Sequence, residues 1–371
     1  MMNGFDSHQI RRLTNQKLFE QGDSFQGNMP LCLRFSLMED CNLHCTMCQR
    51  AALPSPCREA LGHAVLDFSL YETIAAEAFL YAQKVSFEIA GEPTLHPRFK
   101  DILALAQDAG VQVEVWSNGS TLSEPLVGQA IRDHCDLLVL SVDTLDQATL
   151  ESIRVGLDSH ALIHSIRDLK TAAAARPPER PLRLTINATL MKQTIAHLPA
   201  LVREAKALGI DEIVAGHIGF FESTPADESL FLHKNLCNYY LEQANAVAKQ
   251  VGMTVSLPPL FVEGKSSADL SLFRCAWVNH TAILLADGTV IPCCHAAARF
   301  RLPMGNVRQA PLADIWYGPK YMLLRQTLEH HAYMPCCHDC VQNNPFMDVR
   351  QSWSLESFWK EHPFPLEDPR W

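Results

Sequence analysis

The sequence predicts an α/β protein, a parallel sheet built from repeated strand–helix units with a small cysteine-rich α+β section after it. Three observations predict it. Short apolar runs alternate about six times with segments of helical spacing before residue 216. From Phe273 onward the composition turns cysteine-rich, with only short strand-like pieces. And the 13 cysteines fall in clusters, with few scattered along the chain.

The elements follow in order. A polar leader occupies residues 1–30, and the apolar run 31–37 (LCLRFSL) suits a buried strand. Equivalent runs follow at 85–89, 111–116, 137–142, 182–189 and 212–215. Between them, residues 71–81, 97–109, 123–131, 162–175 and 197–208 carry apolar side chains at helical spacing. Repeats of this kind make right-handed crossovers and a parallel sheet. Gly110 and Gly209 each follow a helical run and precede a strand, the place where a left-handed residue ends a helix. RPPER at 176–180 reads as a solvated loop, and 229–251 as one long helix with Leu230, Leu236, Tyr240, Leu241, Ala244 and Val247 as its core stripe. Pro258, Pro259 and Gly264 mark a boundary. Short strands are expected at 282–285 and 289–291, and an aromatic tail with Trp353, Phe358, Trp359, Phe364 and Trp371 packs back on the body. The division is a leader at 1–30, the strand–helix body at 31–225, a linking helix and turn at 226–270, the cysteine-rich domain at 271–345 and the tail at 346–371.

Composition bounds the function. With 371 residues, 47% apolar and 19% charged, the chain belongs to the globular class. A net charge of −10 speaks against a protein that coats nucleic acid, which needs a basic footprint. No apolar run is long enough to span a bilayer, and the polar N-terminus lacks a signal-peptide core, so the expected location is the cytoplasm.

An odd cysteine count in a long chain of that kind is no disulfide framework; clustered thiols there read as metal ligands. Cys32, Cys57, Cys135 and Cys237 are scattered and read as small buried hydrophobes. Cys41-Asn-Leu-His-Cys45-Thr-Met-Cys48, directly after the first strand, supplies three thiolates within eight residues. Three thiolates hold three irons of a cubane and leave the fourth iron open; a zinc site completed by His44 is the alternative. Later, Cys275, Cys293, Cys337 and Cys340 supply four thiolates, enough to close a cubane or a zinc ribbon. Cys294 and Cys336 adjoin two of these; spacing favours Cys293 and Cys337.

The cysteine loop, its place after strand one and the strand-end motifs that follow resemble the radical S-adenosylmethionine (radical SAM) enzymes. The resemblance covers residues 31–221 and implies a partial (β/α)6 TIM-like barrel. It also implies a 4Fe–4S cluster on Cys41, Cys45 and Cys48 whose open iron chelates S-adenosylmethionine. Met47 stands where the family has an aromatic adenine contact. Ala90-Gly91-Glu92-Pro93 resembles the Gly-Gly-Glu-Pro element that receives the methionyl ammonium, with Ala90 in place of the first glycine. Ser117-Asn118-Gly119 resembles the Thr-Asn-Gly turn, and Ser141-x-Asp143 the segment that reaches the ribose. Arg154 matches an arginine that pairs with the methionyl carboxylate, and Asn187 lies where polar groups approach the ribose or sulfonium. Cys275-x12-Gly288-x4-Cys293, Met304-Gly305-Asn306-Val307, Asp314-Ile315-Trp316 and Arg325 resemble the SPASM or shorter twitch domains, implying a second, auxiliary 4Fe–4S cluster. With no cysteine after Cys340, the one-cluster twitch pattern fits.

The implied activity is reductive cleavage of S-adenosylmethionine to a 5′-deoxyadenosyl radical that abstracts a substrate hydrogen. A four-thiolate auxiliary site points to oxidation, and the short leader to a small polar molecule such as a sugar or cyclitol. The alternatives are a ribosomal-peptide maturase, cross-linking or epimerising, and a non-catalytic metal-stabilised scaffold. Cys57 is the candidate hydrogen donor for epimerisation. Glu222 and His217 are possible substrate contacts, although His217 reads more simply as a satisfied core histidine. Expected partners are a small-molecule or peptide substrate and a one-electron reductant such as flavodoxin or ferredoxin, with no membrane and no nucleic acid.

Overall fold

The computed structural model describes residues 7–21, 25–48, 64–218, 226–262, 275, 277–294 and 302–330. Its strands are β1 (Cys32–Phe35), β2 (His44–Cys45), β3 (Lys84–Phe87), β4 (Gln112–Ser117), β5 (Leu137–Ser141), β6 (Arg154–Val155), β7 (Arg183–Leu190), β8 (Glu212–His217), β9 (Thr254–Ser256), β10 (Thr281–Leu284), β11 (Thr289–Ile291) and β12 (Gly305–Asn306). The order β12-β11-β10-β1-β3-β4-β5-β7-β8-β9 forms one open ten-stranded sheet, and β2 pairs with β6 apart from it. From β10 through β1 to β9 every neighbour is parallel. The six predicted strands form the middle of this run, in sequence order. Among the described residues the sheet does not close into a barrel.

Alternation along the strands explains the layering. Leu33, Phe35, Val85, Phe87, Val113, Val115, Leu138 and Leu140 belong to the main core with the covering helices. The intervening residues point to the opposite, inner face. There the parallel register sets Arg34 beside Ser86 and Ser86 beside Glu114.

The helices around this sheet include α1 (Ser7–Glu20), α2 (Phe68–Ala78), α3 (Phe99–Asp108), α4 (Pro125–His134), α5 (Ser159–Ala173), α6 (Leu198–Ala207), α7 (Lys234–Val251) and α8 (Pro319–Glu329). Asp67 starts α2 by accepting from the Ser69 and Leu70 amides, and Asp158 starts α5 through the Ala161 amide. Gly110 and Gly209 take left-handed φ values of 72° and 79° where α3 and α6 end.

Three expectations change. The segment 229–251 is not one helix: a 3-10 turn at Leu230–Leu232 is separated by His233 from α7, and Leu236 lies 38% exposed while Cys237 takes the core position. The leader carries α1, whose Arg12 donates to the Phe79 and Gly110 carbonyls, the exposed ends of α2 and α3. Asn15 grips Met29 through both backbone groups and adds the Tyr81 carbonyl. Lastly, the cysteine-rich segment does not stand clear of the sheet. Its β10 extends the sheet beside β1, with Leu33 opposite Ala282, and β11 and β12 continue it antiparallel.

Candidate functional site

The cysteine loop leaves the end of β1 and is pinned at both flanks. Cys45 pairs with Arg154 in the β2–β6 ladder, and the Thr46 amide donates to the Ile153 carbonyl at 2.9 Å. Cys41 and Cys45 are half-buried and Cys48 is exposed. On the other flank Gly91 packs against the loop backbone, and the Glu92 amide donates to the Asp40 carbonyl at 2.8 Å. Gly91 has φ of 63°, and a Cβ there would stand 2.3 Å from the Met38 carbonyl oxygen and 2.5 Å from that of Asp40. Only glycine fits this contact.

Glu92 is 2% exposed and takes four donors. Its Oε1 accepts from the Thr94 amide at 3.2 Å, the Thr94 hydroxyl at 2.6 Å and the Ser117 hydroxyl at 2.8 Å. Its Oε2 accepts from the Asn118 amide at 2.8 Å. Burial raises its pKa, with these donors opposing the rise. Pro93, buried, opens the short turn Pro93–Leu95 that carries Thr94. Glu92 thereby locks the end of β3 to the end of β4 and presents Asn118 to the loop. Asn118 Nδ2 donates to Cys41 Sγ at 3.6 Å and to Asn42 Oδ1 at 3.1 Å.

A second carboxylate does the equivalent job after β5. Asp143, 2% exposed, accepts from Arg154 Nε at 2.8 Å and Nη2 at 3.1 Å, and from the Thr189 amide at 2.8 Å. The third guanidinium nitrogen, Nη1, lies 3.9 Å from Cys45 Sγ. Ser141 and Asn187, half-buried, stand side by side in register on the inner face of β5 and β7. Met47 is half-buried against the core. The predicted residues of the loop and the strand ends therefore converge on one region. Both carboxylates that the resemblance assigns to S-adenosylmethionine are committed to protein donors and brace the site.

The donor set suits an iron–sulfur cluster. Three cysteines on one loop, two of them facing N–H donors, match thiolates that will carry negative charge. Burial pushes the Cys45 thiol up to about 11, with Arg154 pulling it down, so the sulfur stays protonated until coordination removes the proton. Among the described residues no three His, Cys, Asp or Glu side chains close around a point that would hold a single ion.

Comparison with known proteins agrees with this geometry. Residues 275–341 match the SPASM model, an iron–sulfur cluster-binding domain. The chain is 24% identical over 328 residues to the tungsten-containing aldehyde ferredoxin oxidoreductase cofactor-modifying protein of Pyrococcus furiosus, covering 83% of this chain and 86% of that one. It is 24% identical over 318 residues to the PqqA peptide cyclase of Xanthomonas campestris pv. campestris, covering 84% and 79%. The AdoMet-dependent heme synthase of Methanosarcina barkeri matches at 24% over 316 residues, covering 78% and 82%. In fold it resembles Streptococcus suis SuiB bound to S-adenosylmethionine, with TM-score 0.61 and 16% identity over 88% of this chain and 75% of that one. The chain therefore carries a SPASM domain at residues 275–341 and shares the fold of SuiB. The SPASM match assigns iron–sulfur cluster binding to residues 275–341.

In the SPASM region, Cys275 and Cys293 are half-buried and Cys294 is exposed. Cys336, Cys337 and Cys340 lie outside the described residues, as do Cys57, Glu222 and the aromatic tail. His217 is described, and it is no satisfied core histidine. It packs against Phe231 and Phe261, with centroids 5.3 and 5.2 Å away, and among the described residues neither ring nitrogen has a hydrogen-bond partner. Among the described residues no helix is long and apolar enough to cross a membrane.

Sequence reasoning missed the inner face. Arg34 Nη1 pairs with Glu88 Oε1 at 2.8 Å, and Ser86 donates to both Glu88 and Glu114. Lys84 pairs with Glu114 at 2.8 Å, and the Arg34 guanidinium lies 4.4 Å from the Trp277 ring centroid. Arg34 and Glu88 keep 16% and 11% of their side chains exposed. Next to Glu88, Ile89 holds φ of 83°, a costly conformation for a β-branched residue. The available signal was a charge at alternate positions of otherwise apolar runs: Arg34 in LCLRF, Glu88 in VSFEI, Glu114 in VEVW.

Proposed function

We propose that this chain is a radical SAM enzyme that oxidises a peptide substrate, with Cys41, Cys45 and Cys48 holding the catalytic cluster and Cys275, Cys293, Cys337 and Cys340 the auxiliary one. When bound, the first cluster supplies the electron that splits S-adenosylmethionine into a hydrogen-abstracting radical, and the auxiliary cluster supplies a sink for the electron left on the substrate. Glu92 fixes the strand ends that flank the methionyl group, Met47 packs on the adenine, and Ser141 and Asn187 offer polar contacts to the ribose. Gly91 and Pro93 shape the turn that brings these groups to the loop. The inner face holds the substrate: Arg34 and Glu88 offer a donor and an acceptor side by side, the pattern that an amide group satisfies. The enzyme draws electrons from a reductant of the flavodoxin or ferredoxin kind and works in the cytoplasm.

The single observation that supports a peptide is the match over most of both chains to a PqqA peptide cyclase. A small polar molecule is the second reading, favoured by the charged pairs Arg34–Glu88 and Lys84–Glu114 on the inner face. The deciding experiment supplies reconstituted enzyme, reductant and S-adenosylmethionine with deuterated peptides or polyols suggested by neighbouring genes. Deuterium in 5′-deoxyadenosine together with loss of two hydrogens from a peptide supports the first reading. Deuterium transfer from the polyols alone replaces it with the second. A Cys57→Ala variant that still cleaves S-adenosylmethionine but releases no product turns the assignment from oxidation to epimerisation.

A further inference from the structure

Two of the three loop thiols are each met by an N–H from a different strand end. Asn118 Nδ2 reaches Cys41 Sγ at 3.6 Å, and Arg154 Nη1 reaches Cys45 Sγ at 3.9 Å. Cys48, by contrast, is exposed. We propose that Asn118 and Arg154 are positioning residues that raise the reduction potential of the cluster on this loop by donating N–H···S hydrogen bonds to two of its ligands. The inference rests on the ligand set given under the proposed function.

The physical argument is electrostatic. Reduction adds negative charge that spreads onto the sulfurs, and a hydrogen bond to sulfur stabilises the reduced form. Such a bond is effective only where the donor is already in place, because reorienting it costs free energy at the moment of electron transfer. Both donors are held from several sides. The Asn118 side chain also bonds Asn42 and the Ser120 amide, while its backbone N–H is held by Glu92. The Arg154 fork is held on Asp143, whose Oδ1 also takes the Thr189 amide. The guanidinium also acts on Cys45 through its charge, which Asp143 opposes only in small part.

The test is an EPR-monitored redox titration of the reconstituted full chain. The loop cluster is identified as the signal that changes when S-adenosylmethionine is added. Asn118→Ala removes one donor without adding charge, and Arg154→Lys keeps a cation beside Asp143 but withdraws Nη1. The ratio of reduced to oxidised loop cluster at fixed poise falls about tenfold in Asn118→Ala, equivalent to about 59 mV for one electron. It falls by a smaller factor in Arg154→Lys, whose contact is longer, with iron content at the wild-type level in both. Unchanged midpoint potentials in two fully loaded variants overturn the inference. Where one variant loads no iron, the other decides, because the two donors sit on separate elements, Asn118 after β4 and Arg154 in β6. A Cys41→Ser/Cys45→Ser/Cys48→Ser variant that keeps the signal sensitive to S-adenosylmethionine overturns the ligand set instead, so the two failures are distinguishable.

Discussion

Arg325 lies against Trp316, its guanidinium carbon 4.3 Å from the ring centroid, while its Nη1 donates to the Trp316 carbonyl at 2.7 Å. The same guanidinium stacks on Phe25 at 3.7 Å and donates through Nε to the Val278 carbonyl at 3.0 Å. Trp316 in turn donates to the Asn28 carbonyl at 2.7 Å, and Glu77 of α2 receives the Leu312 and Ala313 amides. One buried cation thus joins the SPASM region to the segment just before β1.

Replacing Arg325 by Ala removes two hydrogen bonds to buried carbonyls and the packing of three rings. Relief of the buried charge, whose pKa burial pulls down to about 10, offsets part of this. The expected net loss is about 2–3 kcal/mol by denaturant unfolding. Iron in reconstituted Arg325→Ala should fall from about eight toward about four per chain, with cleavage of S-adenosylmethionine retained. A variant that keeps all its iron and its wild-type midpoint would remove Arg325 from this role.

Gly91→Ala tests the packing of the β3 end on the cysteine loop. The added methyl meets backbone oxygens at 2.3 and 2.5 Å, which no side-chain rotation relieves. The loop must shift or the turn must strain, at a cost of about 1–3 kcal/mol for the left-handed residue alone. Reconstituted Gly91→Ala should hold markedly less iron at the S-adenosylmethionine-responsive cluster, read by iron assay and EPR, while its auxiliary cluster loads normally.

Glu92→Ala strands donors that the wild-type carboxylate satisfies. The Asn118 amide and the Ser117 hydroxyl are buried with it, and each unpaired group costs about 1–3 kcal/mol, while the Thr94 hydroxyl keeps Thr121 Oγ1 at 2.6 Å. The expected loss is at least about 3 kcal/mol in denaturant unfolding, with binding of S-adenosylmethionine weakened tenfold or more. Glu92→Gln keeps most of the shape and an acceptor oxygen, and should lie between wild type and Ala in both measurements. Equal stability of all three would show that Glu92 braces nothing.

How much of this was written in the sequence depends on the kind of force. Period-two burial is local, so runs such as 31–37 and 182–189 located β1 and β7 within a residue or two. The cysteine loop was legible because its ligand spacing is itself local. Helix α1 was not, since its contacts to the sheet layer are polar: Arg12 and Asn15 act on carbonyls dozens of residues away, which no periodicity reveals. Glu92 and Asp143 were legible as functional positions, yet not as braces, because their donors come from β4 and β7. Leu236 was misplaced because the buried face of α7 runs Cys237, Leu241, Ala244 and Ala248, and Leu236 lies one residue off it.

His217 gives a prediction in pH. Burial against Phe231 and Phe261 lowers its pKa from 6.5 to about 4, with no hydrogen bond to either ring nitrogen among the described residues. In the folded protein it is therefore neutral at about pH 5, where the unfolded chain carries the proton. The unfolded state binds more protons, so stability falls as pH drops below the unfolded value and goes on falling until the folded group itself titrates. From about pH 7.5 to about pH 5 this one group should cost about 2 kcal/mol. His217→Leu keeps an apolar side chain against the two rings and has no proton to gain. Denaturant midpoints measured at both pH values should show wild type losing that increment relative to His217→Leu, and the variant at least as stable at the higher pH because two unpaired nitrogens are gone. Parallel pH profiles for the two proteins would mean that the imidazole finds a proton partner in the folded state.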